Sequence, residues 1–331
     1  MTNLEKYAVP GPRYTSYPTV PYWEKPGPNQ EGWIKAVRES LSGDSSNISV
    51  YIHLPYCEKL CTFCGCNTRI TKRHEVERPY IETILKEWEA YRNILPDDAR
   101  IAEIHLGGGT PTFFTPDHLQ FLIQGLLKQV PASADKAFSI EANPNTTKKE
   151  HLQVLYDLGF RRISFGIQDF DAKVQAIIHR VQPYRVVEKV VHEARKIGYN
   201  SINFDLIYGL PAQTLETIFD TIQKTAQLLP DRLAYYSYAH IPWIKPAQRI
   251  YEDLLPAEEE KFKFYEKGKA ALESYGYTDI GMDHFALPTD RMHQAMENGT
   301  LHRNFMGYTT TSTKLQIGLG ASSISDAWTA F

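Results

Sequence analysis

Residues 51–66 read Tyr-Ile-His-Leu-Pro-Tyr-Cys-Glu-Lys-Leu-Cys-Thr-Phe-Cys-Gly-Cys, a β-prone apolar run that delivers a loop carrying Cys57, Cys61, Cys64 and Cys66. These four are all the cysteines in 331 residues. Thiols gathered on one loop serve as soft metal ligands, not as scattered core residues or partners in a disulfide framework. The C-x3-C-x2-C spacing lets three thiolates wrap one face of an iron-sulfur cube, whereas structural zinc usually takes two pairs from separate turns. Iron-sulfur is therefore favoured, with zinc as the alternative. The opening Met-Thr-Asn-Leu-Glu-Lys has no hydrophobic leader segment, so disulfides are disfavoured and a cytoplasmic location is expected.

Outward from this stretch the same kind of run recurs. Ser49–Leu54, 101–106, 137–141, 162–167, 201–207 and 233–238 are rich in β-branched and apolar residues. Between them lie segments of helical period, such as Val76, Tyr80, Ile81, Ile84, Leu85 and Trp88, or Leu215, Ile218, Phe219 and Ile222. Alternation of this kind predicts βαβ units, and six of them make a partial TIM-like barrel or an open parallel sheet. In both, ligands bind at the carboxyl ends of the strands. The runs end in the cysteine loop, in Gly107-Gly108-Gly109-Thr110-Pro111, at Glu141, at Gln168, around Asp205, and at Ala239 and His240.

With 42% hydrophobic and 23% charged residues the chain is an ordinary globular protein, and no apolar run has the length of a membrane span. A net charge of -3 argues against a nucleic-acid surface and points to a small-molecule partner. Taken singly, the rim residues are weak signals. Glycines after a strand usually just turn the chain, Glu141 fits a solvated strand end, Arg180 fits a cation at a helix C-terminus, and His53 fits a packed core histidine.

The order C-x3-C-x2-C with Phe63 before the third cysteine resembles the radical S-adenosylmethionine (SAM) enzymes. That resemblance implies that Cys57, Cys61 and Cys64 bind a 4Fe-4S cluster whose open iron chelates SAM, and that Cys66 is not a ligand. It also makes the Gly-Gly-Gly-Thr-Pro run a SAM-binding motif. Residues 6–19, Lys-Tyr-Ala-Val-Pro-Gly-Pro-Arg-Tyr-Thr-Ser-Tyr-Pro-Thr, are too rich in proline and tyrosine for a helix and form an extended strap. That strap and Gly65-Cys66-Asn67 resemble the oxygen-independent coproporphyrinogen III oxidases, from Lys6 to about Ile324.

The resemblance implies an oxidoreductase that turns two propionates of coproporphyrinogen III into the vinyls of protoporphyrinogen IX through a 5'-deoxyadenosyl radical, as a monomer served by an electron donor and an acceptor not identifiable from sequence. It further implies two SAM molecules. Tyr51, Gly108, Glu141 and Ile324 are expected at the first, and Phe63, Gly109, Thr110, Gln168, Arg180, Asp205 and Ala239 at the second. Arg13, on the strap, is a candidate for the substrate carboxylates. A related haem chaperone without decarboxylase activity is the alternative, disfavoured by the strap and Cys66.

The expected division is a strap and helix over 1–45, a radical SAM partial barrel over 46–245, and the start of a smaller α+β region over 246–331. Within the last, 256–274 reads as a helix with Phe262, Tyr265, Ala270 and Leu272 apolar, followed by a hairpin and a small-residue loop at 318–324. Members of the family continue further, so the sequence is expected to be either a fragment or a naturally short form.

Overall fold

The computed structural model describes residue 23 and residues 29–42, 46–304 and 307–331. Arg13 and the strap at 6–19 lie outside the described residues.

Helix α1 (Gln30–Ser40) leads into β1 (Asn47–Leu54), after which α2 (Glu77–Arg92), β2 (Arg100–Gly108), α3 (Pro116–Gln129), β3 (Ala132–Ala142), α4 (Lys149–Asp157) and β4 (Phe160–Gln168) alternate. The pattern continues with α5 (Ala172–Ile177), α6 (Tyr184–Ile197), β5 (Ser201–Tyr208), α7 (Leu215–Leu228) and β6 (Arg232–Ser237). The six expected strands are β1 to β6, in chain order and parallel.

Helix starts follow local chemistry. At α3 the Thr115 hydroxyl accepts from His118 N and Pro116 supplies a preset first turn; at α7 Thr214 and Thr217 cap each other. Leu119, Leu122, Ile123 and Leu126 then form one buried stripe on α3. On α7 the buried stripe is Ile218, Thr221, Ile222 and Thr225, and Phe219, expected on it, is 44% exposed.

The strands themselves have two unlike faces. Ile48, Val50, Ile52 and Leu54 of β1, Ile104 and Leu106 of β2, Phe138 and Ile140 of β3, and Ile163, Phe165 and Ile167 of β4 are buried in one cluster with the helix stripes. Each such side chain contributes about 1.5–3 kcal/mol, so this layer is the main source of stability. The alternate positions are polar: Ser49, Tyr51 and His53; Glu103 and His105; Ser139 and Glu141; Arg162 and Ser164; Asn203 and Asp205.

The C-terminal part contributes α8 (Glu258–Ser274), β7 (Thr278–Gly281), β8 (His284–Ala286), α9 (Arg291–Glu297) and β9 (Gln316–Leu319). Helix α8 and the hairpin match expectation, but the buried residues of α8 are Phe264, Gly268 and Leu272, not Phe262. The hairpin joins β6 antiparallel, and β9 pairs parallel with β1 at the opposite edge, so the segment read as a loop begins with the last two residues of a strand and is a loop from 320 to 324. The full order is β9-β1-β2-β3-β4-β5-β6-β8-β7 in one nine-stranded, open sheet. This is the α/β radical SAM type of architecture, with which a six-unit partial barrel agrees.

Candidate active site

The cysteine loop leaves β1 through Pro55 and is clamped at its base. A short parallel ladder pairs Tyr56 and Cys57 with Arg69 and Ile70, and Arg69 N and Thr71 N donate to Pro55 O and Cys57 O at 2.7 and 2.9 Å. His53 fastens the loop from below, its Nε2 lying 2.9 Å from Asn67 O and its Nδ1 3.1 Å from the Tyr51 hydroxyl.

Each candidate ligand meets a different neighbour. The Cys57 thiol lies 3.2 Å from Thr110 Oγ1, and burial pushes it up to about 11 against the pull of that hydroxyl. Arg180 Nη1 donates to Cys61 Sγ at 3.6 Å. A hydrogen bond from the Cys66 thiol, opposed by burial and aided by Lys245 and Arg180, draws Cys64 down to about 6. Lys245 Nζ donates to Cys66 O at 2.7 Å.

Thiols beside two cations are a fitting donor set for a cluster, because thiolates are the binding form. Among the described residues no three His, Cys, Asp or Glu side chains converge as the ligands of a single metal ion.

The glycine run lies flat against this loop. Gly109 N and Thr110 N donate to Leu54 O and Tyr56 O at 2.9 and 3.0 Å. A Cβ on Gly109 would stand 2.6 Å from Pro55 O, and one on Gly108, at φ +112°, would stand 2.9 Å from the His53 ring. At both positions the space freed by glycine is filled by protein, so packing of the two loops explains these residues before any ligand does.

Behind the loop the polar sheet face forms a connected surface. Glu141 Oε2 accepts from Gly108 N at 3.2 Å, and Oε1 lies 3.3 Å from His105 Nε2. The His105 ring stacks on Tyr51 and bonds to Ser139. Burial, with the nearby Glu141 charge, raises the Tyr51 hydroxyl above its ordinary range. Asp205 accepts from Ser164 and Asn203, each at 2.9 Å, and burial with the Glu141 charge pushes it up to about 6.

On the other flank, Phe63 packs with Val174, Ile178, Leu210, Tyr238 and Tyr251. Gln248 Nε2 donates to both Phe63 O and Ala239 O at 3.2 Å, which ties the cysteine loop to the segment after β6. Gln168 ends β4 at φ 70°, in the left-handed region, and its amide faces Gly166 beside the Arg180 guanidinium. His240 is held by Tyr238 and Glu252 at 3.3 and 3.2 Å.

Ile324 is brought in by β9. Gly318 is the register partner of Tyr51, and the backbone of Ile324 packs on it, with Ile324 O 2.5 Å from where a Gly318 Cβ would stand. Thus the expected residues, Arg13 aside, gather at one end of the sheet. His105, Ser139, Ser164, Asn203, Lys245 and Gln248 join them there without having been expected. The first four had a usable signal, since strands of a parallel sheet are normally apolar on both faces and polar residues at every second position mark a face that meets something else.

A parallel α/β sheet with a C-x3-C-x2-C loop at the carboxyl end of its first strand defines a radical SAM protein, and residues 51–225 match the radical SAM superfamily. The oxygen-independent coproporphyrinogen III oxidase of Helicobacter pylori is 43% identical over 328 residues, 98% of this chain and 71% of the relative. That of Escherichia coli is 39% identical over 324 residues, 97% of this chain and 70% of the relative. The solved structure of coproporphyrinogen III oxidase from Escherichia coli, described as a radical SAM enzyme, superimposes with a TM-score of 0.90 at 36% identity, covering 98% of this chain and 72% of that one. The chain belongs to the oxygen-independent coproporphyrinogen III oxidase family.

Proposed function

We infer that this chain is a radical SAM oxidoreductase that decarboxylates two propionates of coproporphyrinogen III to vinyl groups, giving protoporphyrinogen IX without oxygen, a step of haem biosynthesis. The observation that carries this is identity of about 40% along nearly the whole chain to enzymes of that name, with the cysteine loop at the ligand-binding end of the sheet.

A 4Fe-4S cluster, when bound, supplies one electron to cleave SAM into methionine and the hydrogen-abstracting 5'-deoxyadenosyl radical. The residues of the chain hold and orient. Cys57, Cys61 and Cys64 are the proposed cluster ligands, and Lys245 and Arg180 help to draw Cys64 toward its thiolate form. Glu141, whose side chain is 44% exposed, has acceptor capacity left for the hydroxyls of a ribose. With it, Tyr51, Gly108 and Ile324 line the proposed first SAM site.

Phe63, Gly109, Thr110, Gln168, Arg180, Asp205 and Ala239 line the proposed second site. Asp205 sits deeper than Glu141, and its raised pKa keeps a share of it protonated near neutrality, able to donate as well as accept. The apolar layer behind the strands fixes these side chains in place, which is what positioning a radical against one C–H bond requires. The electron donor and acceptor are partners that the reaction demands. Among the described residues no helix is long and apolar enough to cross a membrane.

The test is anaerobic incubation of cluster-loaded protein with SAM, a strong reductant and coproporphyrinogen III, followed by mass. Loss of two carboxyl groups together with 5'-deoxyadenosine is expected. Formation of 5'-deoxyadenosine while the porphyrin keeps all four carboxylates would refute the substrate.

A further inference from the structure

Arg180 is held unlike any other cation near the cysteine loop. Its Nη2 donates to Gly166 O at 2.7 Å, its Nε to Gln182 Oε1 at 3.3 Å, and its Nη1 to Cys61 Sγ at 3.6 Å. Among the described residues no carboxylate pairs with it. Its positive charge therefore stands directly against a candidate ligand sulfur.

The anchor behind it is rigid. Gln182 is fully buried; its amide also donates to Gly166 O, and its backbone N–H donates to Gln175 Oε1 at 2.8 Å. Gln175 in turn donates to Asp169 O and to Gln182 O at 2.8 and 3.0 Å. Asp169, fully buried, is saturated by Gln213, Thr221 and Asp171 N. Of these side chains only Gln182 touches the guanidinium, and Gln175 and Asp169 with its partners form a buried chain that braces Gln182, more than capping the six-residue α5 needs.

We propose that Arg180 raises the reduction potential of the cluster carried by the cysteine loop, and that Gln182 is the positioning residue that keeps it there. This rests on the radical SAM reading of the site. Reduction adds negative charge to a cluster, and an N–H donor and a fixed cation at a ligand sulfur stabilise the reduced state relative to the oxidised one. The role is separate from contact with SAM, because it acts on the protein before SAM binds.

The experiment is an anaerobic redox titration of the reconstituted full chain without SAM, read by electron paramagnetic resonance, with iron and sulfide measured on each sample. Arg180→Gln should make the one-electron reduction equilibrium at least tenfold less favourable, a shift of 59 mV. Arg180→Lys should recover part of the shift, and Gln182→Met should give a smaller shift in the same direction, all at wild-type iron content. An unchanged midpoint in Arg180→Gln overturns the proposal. If that variant takes up no iron, Gln182→Met and Arg180→Lys, which keep the charge, decide: unchanged midpoints in both overturn it. Wild-type protein that binds no four-iron cluster would instead overturn the radical SAM reading itself.

Discussion

Two carboxylates on the polar face of the same sheet have opposite surroundings. Glu103, at the base, is 3% exposed and accepts from Ser49, Arg162 and Thr309 at 3.1, 3.1 and 3.2 Å, so that its charge and its lone pairs are both answered from within the protein. Glu141, at the rim, has among the described residues one backbone N–H and one histidine but no arginine, and a half-open side chain. The chain spends the same residue type on two tasks, and position along the strand separates them. The amino end of a parallel barrel serves stability, the carboxyl end ligands.

The strongest effect is expected at the rim, where Cys61→Ala should abolish cluster assembly and SAM cleavage while Cys66→Ser retains wild-type iron. Equal iron loss in both would break the ligand assignment. Next comes the base: Glu103→Leu strands Arg162 with an unpaired charge and should cost about 3–5 kcal/mol in urea unfolding of the apo-protein. Glu141→Leu should cost less than about 1 kcal/mol in the same assay, and the reverse order would overturn the comparison.

In cluster-loaded protein, Glu141→Gln should weaken SAM binding about tenfold, or about 1.4 kcal/mol, with little change in melting temperature. Calorimetry that finds full SAM affinity would remove Glu141 from the site. The smallest effect concerns Asp205. Its folded pKa, about 6, lies above the ordinary 3.8, so the folded protein binds this proton more tightly than the unfolded chain does. Its contribution to stability therefore falls as pH rises from about 4 to about 6 and stays low above that. Asp205→Asn should therefore stabilise the apo-protein more near pH 7.5 than near pH 4. A gain of the same size at both pH values would show that the carboxyl is not the cause.

The six parallel strands and the cysteine loop were legible because each rests on local pattern: a β-branched run, a helical period, a spacing of thiols. The edge strand β9 was not. Gln316–Leu319 is four residues long, flanked by Thr, Ser and Gly, and becomes a strand only because β1 offers it an edge. The same holds for the anchor of Arg180. Gln175 and Gln182 are unremarkable in a sequence, and only the turn after α5, with His179 at φ 53°, folds them onto one another. The glycine run was half legible: its turn and its place at the site were readable, but not that His53 and Pro55 fill the space beside it.

The pairing of β9 with β1 joins residues about 265 positions apart, and contacts of such sequence separation form late, because the loop entropy must be overcome before they stabilise anything. While the chain emerges amino end first from the ribosome, the strand that carries the cysteine loop has a bare edge until residue 316 is out. Iron delivered earlier would meet a loop whose first strand is half supported and whose neighbour at Ile324 has not arrived. Stable seating of a cluster should therefore wait until residues 316–319 have been synthesised, which makes the timing of iron-sulfur delivery a property written into strand order.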